Sequence, residues 1–397
     1  MSLPQPLNMT HYDKPVFHNG TYQTRFIVPA NRNVSAKSIK LLQIKSNPNK
    51  ASYYPALVGV LSLVKRVQFR ISQKEVDSYY AQARQPLVMA QLENEQQRGV
   101  NKVLFGSGNN VIYDQATQLL TLDRQEVDSV TTQIPLYLLS DFFNVVGVIN
   151  DPLEIIITWE SNAKKMFCPV DSTDPATSWN IEAPYLSYET INYPVEAPKQ
   201  FVFRRFIQDE WVIPAYAVGE VSAFQQTDFR SNAFLDKTIG KLILVNSPSQ
   251  VYSLTPSADV QSMFNVFGWY MSVPQIQETF GLALNGQQMI TFKNVNNDAV
   301  KLSMVADSFA GVNLVTNAHV HTNKSALVEL AGASLNGFAS YGCVELNQRC
   351  NKDITFTYRR QSPSNLATFP ALCGQLNVLA VGECLVAYLG EGNCKYV

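Results

Sequence analysis

The sequence has little charge, few histidines and no long hydrophobic run. Charged residues make up 16% of the 397 residues, against about 25% in ordinary globular proteins. Lys and Arg number 31 and Asp and Glu 32, so the net charge is −1. Nothing global therefore attracts the chain to nucleic acid or to an anionic membrane. The longest apolar stretch, residues 55–64, falls well short of the ~20 residues of a membrane-spanning helix.

The first ten residues are polar, include two prolines and lack the apolar core of a secretory signal. We therefore expect a protein that is not secreted. The six cysteines contain no C-x-x-C pair and match no zinc-binding spacing. They are expected to be reduced and mostly buried. Cys168 has no basic neighbour in the sequence to activate it, so we do not predict a catalytic thiol.

One motif suggests metal binding. His319 and His321 flank Val320, and on a strand both imidazoles would lie on one face. This spacing is similar to the H-x-H of cupins, which also need a Glu about four residues later and a further His. Here the nearest Glu is Glu329, and no His follows His321. The prediction is therefore no metal site, no cofactor site and no catalytic residue; a bicupin-like metalloenzyme is kept as an alternative.

Neither phosphate-binding loops nor extended basic runs occur. Gly106-Ser107-Gly108 lacks the following G-K-[ST], and Gly240-Lys241 lacks the upstream glycine of such a loop. The basic residues form isolated pairs, which predicts solvated strand ends or interface ion pairs and no sequence-specific binding of nucleic acid. These pairs are Lys65-Arg66, Lys164-Lys165, Arg204-Arg205 and Arg359-Arg360.

What the sequence does have is the alternation of β-strands. Val67, Phe69 and Ile71 alternate with polar residues, and 153–159 is a β-branched run. Turn-forming Gly, Pro and Asn separate such runs throughout the chain. Helical patterns are confined to 86–97 and, after Pro135, to a short segment at 136–143. The chain is therefore predicted to be all-β, with a few short inserted helices.

Two halves of similar size are indicated. Pro194 and Pro198 interrupt strand pairing, so we predict an N-terminal arm at 1–20, a first domain at 21–194, a linker at 195–200 and a second domain at 201–397. Residues 69–76 share their strand–turn–strand pattern with 282–289, and 153–159 shares its pattern with 354–358. Each half can hold roughly eight strands, which favours two consecutive jelly rolls.

Several stretches in this order resemble the double jelly-roll major capsid proteins of the adenovirus-hexon, virophage and Polinton-like lineage. They are residues 63–71 with the following 75–97, residues 134–136, 142–143 and 151–157, residues 184–189, residues 239–245 and residues 282–289. None of these stretches is a specific motif on its own; their order along most of the chain carries the resemblance.

The resemblance implies a structural protein without catalytic residues. It implies a homotrimer with a pseudo-hexagonal outline that tiles an icosahedral shell around double-stranded DNA, often over an internal membrane. Neighbouring capsomers, penton proteins and minor capsid proteins would be its partners, and the virion, assembled in the host cytoplasm or nucleus, its location. The aromatic content of 11% also suits a carbohydrate-binding β-sandwich, which is kept as a further alternative.

Overall fold

A computed structural model of the chain describes residues 9–50, 52–54, 59–81, 110–114, 119–123, 132–169, 176–192, 200–213, 224–248, 277–293, 341–361 and 376–397. The predicted helix at 86–97, the break at 194–198 and the pair His319 and His321 lie outside these residues. The predicted domain boundaries stay a prediction.

Strands dominate the described part of the first half. They are β1 Met9–Asp13, β2 Phe17–Asn19, β3 Gln23–Val28, β4 Val34–Ser35, β5 Lys40–Leu42, β6 Ser46–Pro48, β7 Ser52–Tyr53, β8 Val64–Ile71, β9 Lys74–Tyr79, β10 Asn110–Asp114, β11 Leu119–Asp123, β12 Gln133–Pro135, β13 Val148–Ile149, β14 Leu153–Trp159, β15 Cys168–Pro169, β16 Trp179–Ile181 and β17 Tyr185–Thr190.

The helices that lie wholly within the described residues are single turns. They are α1 Leu136–Leu139, α2 Phe142–Val145 and α3 Ala163–Met166, with 3₁₀ turns at Ala36–Ser38 and Gly59–Leu63. The helical segment predicted after Pro135 is therefore two short turns, which separate at Ser140, where the backbone is extended.

The second half has longer strands. They are β18 Phe201–Ile213, β19 Phe224–Ser231, β20 Thr238–Pro248, β21 Gln277–Leu284, β22 Gln287–Lys293, β23 Tyr341–Arg349, β24 Ile354–Gln361, β25 Leu376–Tyr388 and β26 Cys394–Tyr396.

The strand order of the second half defines a jelly roll. One sheet runs β18-β25-β20-β23 and the other β19-β24-β21-β22, with all pairs antiparallel. If the eight long strands are numbered along the chain, the orders are 1-8-3-6 and 2-7-4-5. Such an arrangement of eight strands in two packed sheets is the jelly-roll topology. The short β26 adds to β25.

The first half repeats both orders. Its 2-7-4-5 sheet is β3-β14-β8-β9, with β2 added outside β3. In the other sheet β1 pairs with β17, and β17 pairs with both β4 and β5. On their other side β4 pairs with β13 and β5 pairs with β12. This is 1-8-3-6 again, with the third and sixth strands each broken in two. Met9–Asp13, within the predicted arm, is thus the first strand of this roll.

The hairpin of strands four and five shows the duplication in detail. In the first roll β8 and β9 turn at Ser72 and Gln73, and in the second β21 and β22 turn at Asn285 and Gly286. All four turn residues have positive φ, as the two-residue turns of β-hairpins require. In both hairpins the register also shifts between the third and the second residue before the turn. The two segments that share a pattern in the sequence are therefore equivalent in the fold.

Each roll has its own core, and alternation explains which residues enter it. In β8, Val64, Val67, Phe69 and Ile71 point inward while the intervening residues face outward. The first core also takes in Phe203, Val381, Val386 and Tyr388 of the second roll. The second core contains, among others, Trp211, Phe234, Leu282 and Phe356. The packing of the two rolls against each other is therefore part of the hydrophobic core.

Candidate functional site at the junction of the two rolls

An aromatic cluster joins the rolls. Phe142 of α2 lies 5.5 Å, between ring centroids, from each of Phe201, Phe203 and Tyr388 of the second roll. Phe201 and Tyr388 stack on each other at 4.9 Å. Ser140 positions α2, since its hydroxyl accepts the backbone N–H of Phe142 at 3.3 Å. Aromatic pairs of this kind contribute about 0.5–1.5 kcal/mol each beyond their buried area, so the cluster holds the rolls in one orientation.

A charged network lies beside this cluster. The carboxylate of Glu75 accepts hydrogen bonds from Arg66 at 2.8 and 3.0 Å, from Gln68 at 2.7 Å and from Arg205 of the second roll at 3.2 Å. Arg205 and Glu75 are both largely buried. Because one carboxylate binds an arginine from each roll, the network fixes the register of β18 along the edge strand β9.

Asp77 continues the network inward. Its side chain is 1% exposed and lies 4.0 Å from Nε of Arg205. The carboxylate accepts the hydroxyl of Ser140 and, at 2.8 Å, the backbone N–H of Ser78. A buried carboxylate is tolerated only where donors and a cation surround it. Ser140 therefore serves both the charged network and the aromatic cluster.

The turn between β25 and β26 closes the junction. Lys74 donates to Oδ1 of Asn393 at 2.7 Å, and the N–H of Gly392 donates to the hydroxyl of Tyr388 at 3.2 Å. A Cβ atom on Gly392 would overlap the carbonyl oxygen of Ile71 and lie 3.0 Å from Cβ of Lys74. Only glycine fits here, so backbone meets backbone across the junction. Burial raises the pKa of the Tyr388 phenol.

Tyr396 of β26 packs against both cores. Its ring lies 5.9 Å from the guanidinium carbon of Arg205 and 5.2 Å from Nζ of Lys237, distances typical of cation–π contacts. Burial raises the pKa of the nearby thiols, that of Cys384 to about 12 and that of Cys394 to about 11. These thiols are protonated at neutral pH and are poor nucleophiles.

A second polar network holds the first strand of the first roll. His11 of β1 stacks on Tyr188 of β17 at 5.0 Å and bonds the hydroxyl of Thr190 at 3.0 Å. The Tyr188 hydroxyl donates to Asp13 at 2.7 Å and accepts from Arg32. Burial and the neighbouring Asp13 raise the pKa of Tyr188 to about 12. Met9 and Tyr12 of the same strand are 56% and 68% exposed, so β1 leaves one large apolar side chain exposed on each of its faces.

Two of the basic pairs noted in the sequence meet at the junction. Arg66 and Arg205 converge on Glu75, and Arg204 lies 3.6 Å from Asp141. For the pairs 164–165 and 359–360 the structure describes only the backbone, as it does for Cys168. Nothing specific in the sequence marks Glu75, Asp77 or Tyr396 as junction residues. A charged residue close to a hairpin turn, or an aromatic residue close to the last position of the sequence, is too common to indicate a contact between the rolls.

The described residues contain no cluster of three or more His, Cys, Asp or Glu side chains arranged to hold a metal ion. Within the same part of the chain, no helix is long and apolar enough to cross a membrane.

Two jelly rolls of the same strand order in one chain make a double jelly roll. No protein-family model and no curated protein matches the sequence. Solved structures do match along its length. A chain of the Sputnik virophage cryo-EM structure matches with a TM-score of 0.56 and 13% identity, over 100% of this chain and 90% of that one.

Two further structures agree. A chain of the quasi-atomic model of the PBCV-1 virus capsid gives a TM-score of 0.53 and 10% identity, over 100% of this chain and 98% of that one. The mavirus major capsid protein gives 0.51 and 10%, over 98% and 90%. The chain has the double jelly-roll fold found among viral major capsid proteins. The predicted fold class is confirmed.

Proposed function

We propose that the chain is a structural major capsid protein that assembles as trimeric capsomers into an icosahedral shell around double-stranded DNA. The observation that carries the proposal is the junction, which locks two rolls of equal topology into one body. Three such chains in a ring place six rolls of the same topology around one axis. The ring then has a six-fold outline, which can tile a surface. The likeness to the mavirus major capsid protein and to the PBCV-1 capsid supports this role.

A structural and non-catalytic role also agrees with the chemistry of the described residues. The thiols of Cys384 and Cys394 are held protonated by burial. His11 and His18 bond to threonine hydroxyls of adjacent strands, and His18 also to the carbonyl of Ile181. The two histidines thus serve to hold strands together.

The partners and the location follow from the same proposal. Neighbouring capsomers, penton proteins and minor capsid proteins would contact the outer surfaces of the trimer, and an internal membrane would lie beneath the shell in some assemblies. The protein would reside in the virion after assembly in the host cytoplasm or nucleus. The low charge of the sequence, 16%, suits broad lateral contacts made by hydrogen bonds.

Light scattering on the purified chain, combined with electron microscopy of negatively stained particles, tests the proposal. The expected result is a mass three times the 44.3 kDa of one chain and particles with a hexagonal outline. The melting temperature should rise with protein concentration, because association stabilises by mass action. A monomer at micromolar concentration with a concentration-independent melt would refute the proposal. Metal analysis of the same sample tests the bicupin alternative.

A further inference from the structure

One end of the first roll is closed by a contact between its two sheets. The β2–β3 hairpin, at the edge of one sheet, lies against β16, which leads into the eighth strand, β17, of the other sheet. The N–H of Ile181 on β16 donates to the carbonyl of Gly20 in the hairpin turn at 3.1 Å. A Cβ atom on Gly20 would overlap the carbonyl oxygen of Ile181. The hairpin and β16 therefore touch through their backbones.

His18 bridges this contact with both ring nitrogens. Its Nε2 lies 2.9 Å from the carbonyl oxygen of Ile181, and its Nδ1 lies 2.8 Å from Oγ1 of Thr24 on β3. The indole N–H of Trp159 on β14 donates to the same hydroxyl of Thr24 at 3.0 Å. Thr24, Trp159 and Ile181 are buried, and His18 is half-buried. Three hydrogen bonds in series thus connect β14 to β16 through the imidazole.

The partners of the ring fix its protonation state. A carbonyl oxygen only accepts and an indole N–H only donates. Nε2 of His18 therefore carries a hydrogen for Ile181. The hydroxyl of Thr24 accepts from Trp159 and donates its own hydrogen to Nδ1. Every donor in the series has an acceptor only while Nδ1 is unprotonated, so the contact requires the neutral imidazole.

A proton on Nδ1 would place two donors opposite each other, the N–H of His18 and the O–H of Thr24. The hydroxyl hydrogen of Thr24 would then need another acceptor. The described contacts of this side chain, which is 0% exposed, include none. An unpaired buried donor is costly, so protonation is expected to break the bridge.

Charged groups near the ring do not compensate the proton. The charged residues on the elements around His18 are Arg25, Lys45, Glu154, Glu160 and Glu182. Arg25 binds Glu154. Glu160 accepts the backbone N–H groups of the next two residues, and Glu182 accepts the amide of Asn47 at 2.8 Å. Within the described part of the chain, the ring of His18 bonds only to Thr24 and Ile181.

We propose that His18 is an acid-sensitive latch, which ties the β2–β3 hairpin to β16 while its ring is neutral and releases the hairpin when the ring is protonated. An ordinary histidine takes up a proton near pH ~6.5. Because the closed latch binds one proton fewer than the open form, acidification favours opening. The inference goes beyond the proposed function and holds whether or not the chain forms capsomers.

His11 provides the contrast within the same roll. Its Nε2 bonds to Oγ1 of Thr190, whose hydroxyl donates to the carbonyl of Met9 at 3.4 Å. The hydrogen of this contact is already on Nε2, and Nδ1 takes no part in it. A second proton on His11 therefore leaves the contact intact, and His11 should not act as a latch.

Hydrogen exchange of the full chain at about pH 8 and about pH 5.5, corrected for the intrinsic dependence of exchange on pH, tests the proposal. Residues 19–24 and 180–182 should exchange about three- to tenfold faster at the lower pH, whereas β20 and β25 of the second roll should not change. His18→Gln, whose amide stays uncharged, should remove this acid effect. The matched variants His11→Gln and Thr24→Ser, which keep His18 and a hydroxyl at 24, should retain it.

Two results would overturn the latch. One is a parent chain without faster exchange at the lower pH, and the other is an acid effect of the same size in His18→Gln. If His18→Gln does not fold, Thr24→Val is measured instead. This variant lacks the hydroxyl that opposes the second proton, so its hairpin should exchange at similar corrected rates at both pH values, and a persisting acid effect overturns the proposal.

Discussion

The close approach at Gly392 permits a matched pair of glycine substitutions. Gly392 has φ of +75° and Gly286 has φ of +81°, so alanine at either position pays the same backbone strain, about 1–2 kcal/mol. The surroundings differ. A Cβ at Gly286 meets nothing within 4 Å, whereas one at Gly392 would overlap the carbonyl oxygen of Ile71. Forcing a methyl group into packed structure adds about 1–3 kcal/mol.

We therefore expect Gly286→Ala to lower the free energy of unfolding by about 1–2 kcal/mol and Gly392→Ala to lower it by about 2–5 kcal/mol. Urea unfolding followed by tryptophan fluorescence measures both. Hydrogen exchange should show faster exchange in β18 and β9 for Gly392→Ala only, because the clash opens the junction. Equal losses for the two variants, with no change in exchange at β18, would refute the claim that backbone contact at Gly392 closes the junction.

Three further predictions concern the cores and the charged network. Phe142→Ala should cost about 3–5 kcal/mol and raise hydrogen exchange in β18. Phe26→Ala, on β3 of the first roll and in the same core, should cost as much without that change, and similar exchange in both would contradict the role of the cluster. Arg205→Leu should lose about 1–3 kcal/mol in urea unfolding because it removes the arginine of the second roll from the largely buried carboxylates of Glu75 and Asp77. Its exposed neighbour Arg204→Leu should lose under about 1 kcal/mol, and equal losses would count against the network. The pKa of Cys384 is about 12 in the folded chain against 9.0 for an ordinary thiol, so between these pH values unfolding releases a proton. The free energy of unfolding should therefore fall as the pH rises from 9 toward 12, by at most about 1.4 kcal/mol per pH unit from this thiol. In thermal melts, Cys384→Ala should show a shallower decline of stability with pH than the parent chain, and an unchanged slope would argue against this contribution.

Sequence patterns predicted the parts of the fold that depend on neighbours in the chain. The hairpin at Ser72 and its counterpart at Asn285 are visible because a turn and two alternating strands lie within about a dozen residues. The prediction that the chain is duplicated also follows from such local units. The fold class could therefore be predicted without any single specific motif.

The junction could not be predicted in the same way. Glu75 and Arg205 are 130 residues apart, and nothing in the local pattern of either indicates the other. Phe142 reads as an ordinary core residue of the first roll, yet it also packs on the second. His11 and Asp13 stand in a polar segment that reads as an arm; their partners Thr190 and Tyr188 are 179 and 175 residues away. Pairings of this range depend on the tertiary fold.

The contact of Tyr396 with both cores has a consequence for biosynthesis. Domains generally fold in order as the chain leaves the ribosome, so the first roll can form while the second is still being translated. The contacts that Tyr396 makes with both cores cannot form until β26 has emerged. A nascent chain in which β26 has not yet emerged therefore lacks this part of the packing between the rolls.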